Sequence, residues 1–202
     1  MQEIVIRPLV FLDTETTGTQ PGRHELLEIG AVIVAGAPPY GIEDSFSAKV
    51  RPLRIADADP EALTINHYTA EEWRDAMPEA EAARFFCEKV RGAALWGWNV
   101  SFDRAFLEPA MNRAGMTLEQ YGLDYTWYDL KPDFIRWAKL SGRETEFGPR
   151  FSLGAARRAF SIELEDAHRA LPDAIATYQV FVRLEEEFAR MREQLRNQGL
   201  GL

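Results

Sequence analysis

The chain has 202 residues, 46% of them hydrophobic, and its 23 Lys and Arg against 32 Asp and Glu give a formal net charge of −9. We expect one domain over residues 1–202, because the length suits one buried core. No apolar run approaches the roughly 20 residues of a membrane span, so we expect no membrane partner. No signal peptide opens the chain, and we therefore expect it in the cytoplasm. The single Cys87 excludes a disulfide framework or a thiolate-rich zinc site, and the acidic balance argues against a protein that coats nucleic acid with a basic surface.

Three strands are predicted in the first 50 residues. A mostly apolar run over residues 4–12 leads into Asp13-Thr14-Glu15, as expected of a buried strand with polar residues at its carboxyl end. A second apolar run covers residues 26–34. Turn-forming residues at 36–41 and the alternation over residues 45–50 then predict an antiparallel hairpin.

Helices alternate with short strands in the rest of the chain. Helix starts are predicted at Asp59-Pro60-Glu61 and at a capping box over residues 69–72, with longer helices over 78–90, 102–114 and 132–140. Short strands are predicted at 93–98 and 125–130, and Ser152 is expected to cap a short helix. A long C-terminal helix has Pro172 in its first turn and continues to about residue 196. The pattern predicts an α/β fold whose mixed five-stranded sheet is flanked by helices.

Asp13 and Glu15 are the first candidates for chemistry. The two-residue period of a strand puts both carboxylates on one face, where a hard divalent cation such as Mg²⁺ would offset their repulsion. The alternative is a strand that simply ends in acidic residues. The pair therefore indicates a metal site only if other ligands join it.

Asp103 follows the fourth predicted strand, at the start of a helix. A solvated aspartate stabilised by the helix dipole is one interpretation. If the fourth strand is parallel to the first, however, Asp103 lies beside Asp13, at the edge where open α/β sheets bind ligands. We expect Asp103 to belong to the same site.

His168 and Asp173 lie five residues apart before and within the first turn of the last helix. They are consistent with a surface ion pair. They are also the fourth carboxylate and the neutral-pH base that two-metal phosphodiester hydrolysis requires in addition to the three other acids.

These motifs together resemble the DEDD 3′→5′ exonucleases of the ribonuclease H-like superfamily, in the histidine-bearing branch that includes bacterial proofreading exonucleases. The first motif is matched by residues 11–18, supported by residues 27–32 in the next strand. Residues 98–103 match the second, and His168 with Asp173 match the third. Relatives of another branch carry tyrosine where this chain has Arg169, which favours the histidine branch.

The resemblance implies a ribonuclease H-like three-layer fold and a catalytic site with two divalent ions, Mg²⁺ or Mn²⁺. Asp13 would bridge both ions, Glu15 and Asp173 would complete the first, and Asp103 would act on the second directly or through water. His168, with an ordinary pKa of about 6.5, would accept the proton of the attacking water. The expected products are nucleoside 5′-monophosphates released from a 3′ end.

Substrate contacts are predicted around the first two motifs. The hydroxyls and backbone of Thr16 and Thr17 are expected to hold the terminal nucleotide. Relatives often carry an Ala-Leu-x-Ile-Thr-Gly-Ile segment whose apolar residues wedge against the terminal base, and here Leu63 and Ile65 agree whereas Asn66 and His67 depart. His67 is interpreted as a loop surface residue. Asn99 and Phe102 flank the second motif, with Phe102 equally consistent with a core position.

A basic segment offers a candidate path for backbone phosphates. Arg143, Arg150, Arg157 and Arg158 outnumber the acids of residues 143–158. Basic residues that follow one another in this way can track a nucleic-acid backbone. An ordinary solvated face is the alternative.

The expected partners are DNA or RNA 3′ ends, with a DNA polymerase as a further candidate. The motifs favour a DNA exonuclease of proofreading or repair type on single-stranded or frayed ends. An exoribonuclease acting on RNA 3′ ends or short oligoribonucleotides carries the same motifs. A catalytically silent binding module is the alternative from another class, and the presence of all four carboxylates and the histidine argues against it. The oligomeric state is not indicated.

Overall fold

A five-stranded mixed sheet forms the centre of the computed structural model, which describes residues 6–163 and 169–199. The strands are β1 (Leu9–Thr16), β2 (Leu26–Val34), β3 (Ile42–Lys49), β4 (Ala94–Gly97) and β5 (Tyr128–Asp129). Their order across the sheet is β3-β2-β1-β4-β5. β1, β2 and β3 pair antiparallel, whereas β4 pairs parallel with both β1 and β5. The mixed five-stranded sheet is therefore confirmed.

Six α-helices are connected to these strands in the described residues. They are α1 (Pro60–Ile65), α2 (Glu79–Lys89), α3 (Ser101–Arg113), α4 (Lys131–Leu140), α5 (Leu153–Ala159) and α6 (Ala170–Asn197). Two start as the sequence predicts. The Asp59 side chain accepts a hydrogen bond from the Glu61 N–H, and the Ser152 side chain accepts one from the Ala155 N–H. Such caps satisfy backbone donors that the first helical turn leaves unpaired.

Alternation along β1 divides the core into two layers. Val10 and Leu12 point to the side of α2 and α3, where they join a buried cluster that includes Phe86. Phe11 points to the opposite side, and its ring centroid lies 5.0 Å from that of Phe181 on α6. Each fully buried side chain of this size contributes roughly 1.5–3 kcal/mol. Because helices cover both faces, the predicted three-layer arrangement is confirmed.

Some predicted element boundaries are wrong. β1 starts at Leu9 and continues to Thr16, whereas the sequence predicted a strand over residues 4–12, part of which lies outside the described residues. Pro8 has no N–H to donate to a strand neighbour, and the Arg7 side chain donates instead to the Gly92 carbonyl at 2.8 Å. The polar residues 13–16 thus belong to the strand itself.

Two further expectations are corrected in the middle of the chain. The capping box at residues 69–72 starts a turn and not a helix, although the Glu72 N–H does donate to the Thr69 hydroxyl. β5 has two residues where six were predicted, because Asp129 turns the chain directly into α4 by accepting the Lys131 N–H.

Among the helices in the described residues, none is long and apolar enough to cross a bilayer.

Candidate active site

The second half of β1 presents its side chains alternately to the two layers. Asp13 and Glu15 point toward α6, and Thr14 points toward α3. In the ladder with β2, Asp13 lies opposite Gly30, and Glu15 lies opposite Glu28. Directly opposed residues of antiparallel strands share a face, so these four positions form one surface under the start of α6.

Three carboxylates meet on this surface. Asp13, Glu15 and Asp173 each offer an oxygen, and these oxygens all lie within 4.8 Å of one another. All three residues are half-buried. Asp173 stands in the first turn of α6, where its N–H donates to the Arg169 carbonyl at 3.1 Å. The structure therefore brings together acids that lie 160 residues apart in the chain.

α6 reaches the acidic residues of β1 because β2 carries a glycine beneath it. A Cβ built on Gly30 would lie 2.2 Å from the Ala170 carbonyl carbon and 2.2 Å from the Leu171 nitrogen. Any side chain at this position would separate the helix from the sheet. Gly30 is thus the residue that lets Asp173 approach Asp13 and Glu15.

Asp103 approaches from the opposite layer. It is buried in the first turn of α3, and its Oδ1 accepts a hydrogen bond from the Thr14 hydroxyl at 2.8 Å. Asp129 holds the turn before α3, since its Oδ1 accepts the Asn99 N–H at 2.9 Å while Asn99 has a left-handed φ of 61°. Asp103 thus lies beside the cluster formed by Asp13, Glu15 and Asp173, on a firmly held helix terminus.

Crowding and burial change the acidity of this group. Burial raises the pKa of Asp13 well above its ordinary range, and the charges of Asp103, Glu15 and Asp173 raise it further. Burial, followed by the charges of Asp173 and Glu28, raises the pKa of Glu15 to about 8. Burial likewise raises the pKa of Asp103 to about 7, although the hydrogen bond from Thr14 opposes this change. In all three cases the protein disfavours the charged carboxylate.

These residues fit a divalent cation. All the donors are carboxylate oxygens, which are the ligands that Mg²⁺ and Mn²⁺ prefer. Burial, and after it the neighbouring acidic charges, disfavours the charged carboxylates, and a bound cation would offset both effects. Asp13, Glu15 and Asp173 could together hold such an ion, and Asp103 could add a ligand from the layer of α3.

His168, the predicted general base, lies outside the described residues. Arg169 follows it in the chain and is described. The catalytic role of His168 stays a prediction from the sequence.

Contact of Thr16 and Thr17 with the terminal nucleotide stays a prediction. Both residues are buried, and both hydroxyls serve the protein itself: that of Thr16 donates to the Gly18 carbonyl, and that of Thr17 accepts the Glu25 N–H. The Thr17 backbone is also engaged, because its N–H donates to the Glu25 carbonyl and its carbonyl accepts the Asp59 N–H. These two residues shape the end of β1, where the chain turns away from the carboxylates.

The predicted wedge segment is α1 and the turn after it. Ile65 is 41% exposed, whereas Leu63 is half-buried and packs on a small cluster with Leu27 and Trp73. Asn66, one of the two departures from the relatives, is buried, and its Nδ2 donates to the Thr16 carbonyl at 2.8 Å. His67 is exposed, as interpreted from the sequence, and has a left-handed φ of 52°. Asn66 therefore joins α1 to the end of β1.

The other predicted substrate contacts, at Asn99 and Phe102, also differ in their exposure. Asn99 is exposed. Phe102 is half-buried and packs on the core, with its ring centroid 5.1 Å from that of Phe106, which favours the core interpretation. In the basic segment, Arg143 pairs with Glu146 at 2.8 Å. A phosphate-binding role for this segment stays a prediction.

Sequence reasoning missed the groups that support the acids. Glu28 is 2% exposed in a strand whose other eight residues are all buried, and a lone charge in such a strand requires a partner. That partner is Arg169, whose Nε lies 3.0 Å from the Glu28 Oε2. Thr14 was also missed, although alternation places it on the face that meets Asp103. In the sequence, the isolated Glu28 within an apolar strand was the signal that a buried partner exists.

Comparison with known proteins identifies this arrangement. Residues 10–181 match the RNase_T family, which is described as exonuclease. The PolC-type DNA polymerase III of Caldanaerobacter subterraneus is 28% identical over 185 residues, and that of Lacticaseibacillus paracasei is 27% identical over 185 residues. The matches cover 88% and 90% of this chain but 12% of each polymerase. The chain thus spans about an eighth of the length of these relatives.

Solved structures share the fold. E. coli Exonuclease I in complex with a dT13 oligonucleotide superposes with a TM-score of 0.73 at 21% identity, over 94% of this chain and 43% of that chain. Exonuclease I from Methylocaldum szegediense gives a TM-score of 0.73 at 23% identity, over 89% of this chain and 40% of that chain. These likenesses confirm the ribonuclease H-like arrangement of a mixed sheet between helices.

Proposed function

The chain belongs to the RNase_T exonuclease family, among the DEDD 3′→5′ exonucleases of the ribonuclease H-like superfamily, and on that premise we propose that it hydrolyses single-stranded or frayed DNA from the 3′ end. The products would be nucleoside 5′-monophosphates. We assign the chain to the histidine-bearing branch, because His168 and Asp173 have that branch's spacing.

One observation carries the proposal. The oxygens of Asp13, Glu15 and Asp173 lie within 4.8 Å of one another, and Asp103 stands beside them from the other layer. A module that only bound nucleic acid would have no need for this repelling cluster, which costs stability when no cation is present. The retention of every acidic motif residue therefore favours catalysis over a silent role.

The four carboxylates would hold two divalent cations, Mg²⁺ or Mn²⁺. When bound, such ions stabilise the charge that develops on the phosphate and on the leaving 3′ oxygen. Two ions would also add four positive charges to a site with four carboxylates, which would reduce the repulsion between an acidic protein and its substrate. This compensation reconciles the net charge of −9 with a nucleic-acid substrate.

The protein's own groups would supply positioning and proton transfer. Thr14 holds Asp103 by a hydrogen bond, and the Arg169 carbonyl holds the first turn that carries Asp173. His168 would accept the proton of the attacking water, since a histidine near its ordinary pKa is half neutral at about pH 6.5. The exposed Ile65 on α1 would contact the terminal base.

DNA is favoured as substrate by the relatives. The curated relatives are PolC-type DNA polymerases, and an Exonuclease I structure of the same fold contains a dT13 oligonucleotide. A DNA polymerase is accordingly the protein partner we propose, and the cytoplasm is the compartment. RNA 3′ ends are the second candidate substrate, because the acidic motifs act on the phosphodiester and not on the sugar.

Mononucleotide release from matched substrates tests the proposal. Single-stranded DNA, a duplex with a 3′ mismatch, a blunt duplex and RNA of one sequence are incubated with Mg²⁺ or Mn²⁺, with Asp13→Ala as control. We expect single-stranded and mismatched DNA to be degraded fastest, and no release with EDTA or with the control.

Two results would contradict the proposal. Faster degradation of RNA than of DNA would establish the exoribonuclease instead. No release from any substrate by a folded protein that binds Mn²⁺ would favour the silent binding module.

A further inference from the structure

We infer that Arg169 is a positioning residue for the metal site: by pairing with the buried Glu28 it fixes the start of α6, and with it Asp173, against Asp13 and Glu15. The inference rests on the proposed function in that the positioned carboxylate is a metal ligand. Arg169 would touch neither the metal nor the substrate. Arg169 would act only by positioning Asp173.

The first step is the burial of Glu28. Its side chain is 3% exposed and accepts hydrogen bonds on both oxygens, from the Ser47 hydroxyl on Oε1 and from Arg169 Nε on Oε2. A carboxylate at this depth is tolerated only with such partners. Because Ser47 is neutral, Arg169 supplies the positive charge.

The second step is the extent of the network that Arg169 joins. Its Nη1 lies 3.0 Å from the Glu72 Oε1, and the same carboxylate binds Lys49 Nζ at 2.6 Å. The guanidinium also lies 5.7 Å from the centroid of the Trp73 ring. One planar side chain thus connects β2 and the turn over residues 70–75 to the start of α6, a double contact for which arginine is suited and lysine is not.

The third step links this anchor to the carboxylate. Arg169 precedes the first residue of α6, and its carbonyl accepts the Asp173 N–H at 3.1 Å. Glu28 and Gly30 lie on the same face of β2, so the ion pair and the close approach of α6 at Gly30 fix the same helix start. Glu28 also stands opposite Glu15, so the anchor lies one strand away from the ligands.

Electrostatics and positioning make opposite predictions for a variant without this arginine. Arg169→Gln removes a positive charge that pairs with Glu28 and Glu72, close to the metal ligands, which by charge alone would strengthen the binding of a cation. If the arginine positions Asp173, the same substitution weakens binding. Partners that orient metal ligands typically change affinity by about 10- to 100-fold.

The experiment measures Mn²⁺ binding by isothermal titration calorimetry, without nucleic acid, on folded wild type, Arg169→Gln and Arg183→Gln. Arg183 is the matched control, since it lies on α6, is exposed and pairs with the exposed Glu186 at 3.1 Å. We expect the Mn²⁺ Kd to rise by at least about 10-fold in Arg169→Gln and to stay within about twofold in Arg183→Gln. In DNA hydrolysis, kcat of Arg169→Gln should fall by a similar factor with little change in KM.

A Kd for Arg169→Gln that is unchanged or lower than that of wild type would overturn the inference. If Arg169→Gln does not fold, the double variant Glu28→Gln/Arg169→Gln replaces it, because it leaves no buried charge unpaired. The double variant has the net charge of wild type. A higher Kd for Mn²⁺ therefore supports the positioning role of Arg169, and an unchanged Kd overturns it. Wild type that binds Mn²⁺ but degrades no substrate would contradict the proposed function alone.

Discussion

Burial and the charges of Asp103, Glu15 and Asp173 all raise the pKa of Asp13, which gives the first prediction. Removing this carboxylate relieves both its desolvation and that repulsion, so Asp13→Ala should keep or increase the metal-free free energy of unfolding. The same change should abolish hydrolysis, because the proposed bridging ligand is lost. Urea denaturation with EDTA and a nuclease assay together measure both effects.

The opposite pattern would show a different role for this residue. If Asp13→Ala unfolds the protein but keeps its activity per folded molecule, the carboxylate is structural and the metal assignment is wrong. Asp44→Ala serves as control, because Asp44 is an exposed acid of β3 that pairs with Lys89 at 2.8 Å.

His168 gives a prediction on rate. His168→Ala should lower kcat by roughly 10²- to 10⁴-fold, the range for loss of a general base, with little change in Mn²⁺ affinity. The activity of wild type should fall with acid near the pKa of histidine, at about pH 6.5. A variant that retains wild-type turnover at pH 7 would remove histidine from the mechanism.

The acidic cluster should also make the metal-free protein less stable as pH rises. The pKa of Glu15 is about 8 in the folded protein against an ordinary 4.5, so between these values the folded state binds more protons than the unfolded state. The free energy of unfolding must then fall as pH rises through this window. Each pKa unit corresponds to about 1.4 kcal/mol, so a loss of a few kcal/mol is expected.

Denaturation with EDTA at pH 5 to 8 measures this dependence, and Glu15→Gln should flatten it. A stability that rises with pH in wild type over the same range would contradict the raised pKa values.

Residue spacing in the sequence predicted the acidic site residues but not the residues that hold them in place. Strand alternation and the position of ligands in α/β sheets predict Asp13, Glu15 and Asp103, whereas Asp173 was predicted from the chemistry that these three lacked and from the motif resemblance. Arg169 could be noticed only as a departure from tyrosine, because its partner Glu28 is 141 residues away in the chain. The sequence also could not show that the hydroxyls of Thr16 and Thr17 bond to the protein's own backbone, because a hydroxyl beside an active site looks the same in sequence whatever its partner.

At the scale of elements, the packing of α6 on β2 depends on Gly30. Gly30→Ala would place a Cβ 2.2 Å from backbone atoms of α6, which cannot yield as a side chain would. We expect a loss of about 1–3 kcal/mol of stability, as for overpacked cores, together with weaker Mn²⁺ binding because Asp173 moves away. Thermal denaturation and calorimetry measure the two effects.

Gly41→Ala is the matched control, since nothing lies within 4 Å of a Cβ at that glycine. Equal stability and equal Mn²⁺ affinity for the two variants would show that α6 does not need this close approach.

Helices and strands were largely predictable where the hydrophobic pattern extends over many residues. The second strand, 26–34, was predicted with the bounds that β2 has, because all nine residues are buried. The capping box at residues 69–72 wrongly predicted a helix start, because tertiary contacts hold this segment as a turn. The Trp73 indole, for example, donates to the Leu27 carbonyl at 2.9 Å. Local helix signals do not report such a distant partner.

At the scale of the whole molecule, an acidic protein is proposed to bind a polyanion. Part of the net charge of −9 lies at the site, where the proposed cations would offset the charge of the carboxylates. Binding should therefore depend on the metal more than on a basic surface, in keeping with the pairing of Arg143 with Glu146. This also explains why composition alone pointed away from nucleic acid.

Hydrolysis from the 3′ end by the carboxylate site is tested by a time course on a 5′-labelled single-stranded oligonucleotide with Mg²⁺ or Mn²⁺. A free 3′ hydroxyl, a 3′ phosphate and an annealed blunt duplex are compared, because drawing a paired terminal base into the site costs a few kcal/mol. We expect a ladder that shortens from the 3′ end, slower on the duplex, blocked by the 3′ phosphate and absent with Asp13→Ala. Internal cuts among the first products, or a ladder unaffected by blocking the 3′ end, would identify an endonuclease and contradict hydrolysis from the 3′ end.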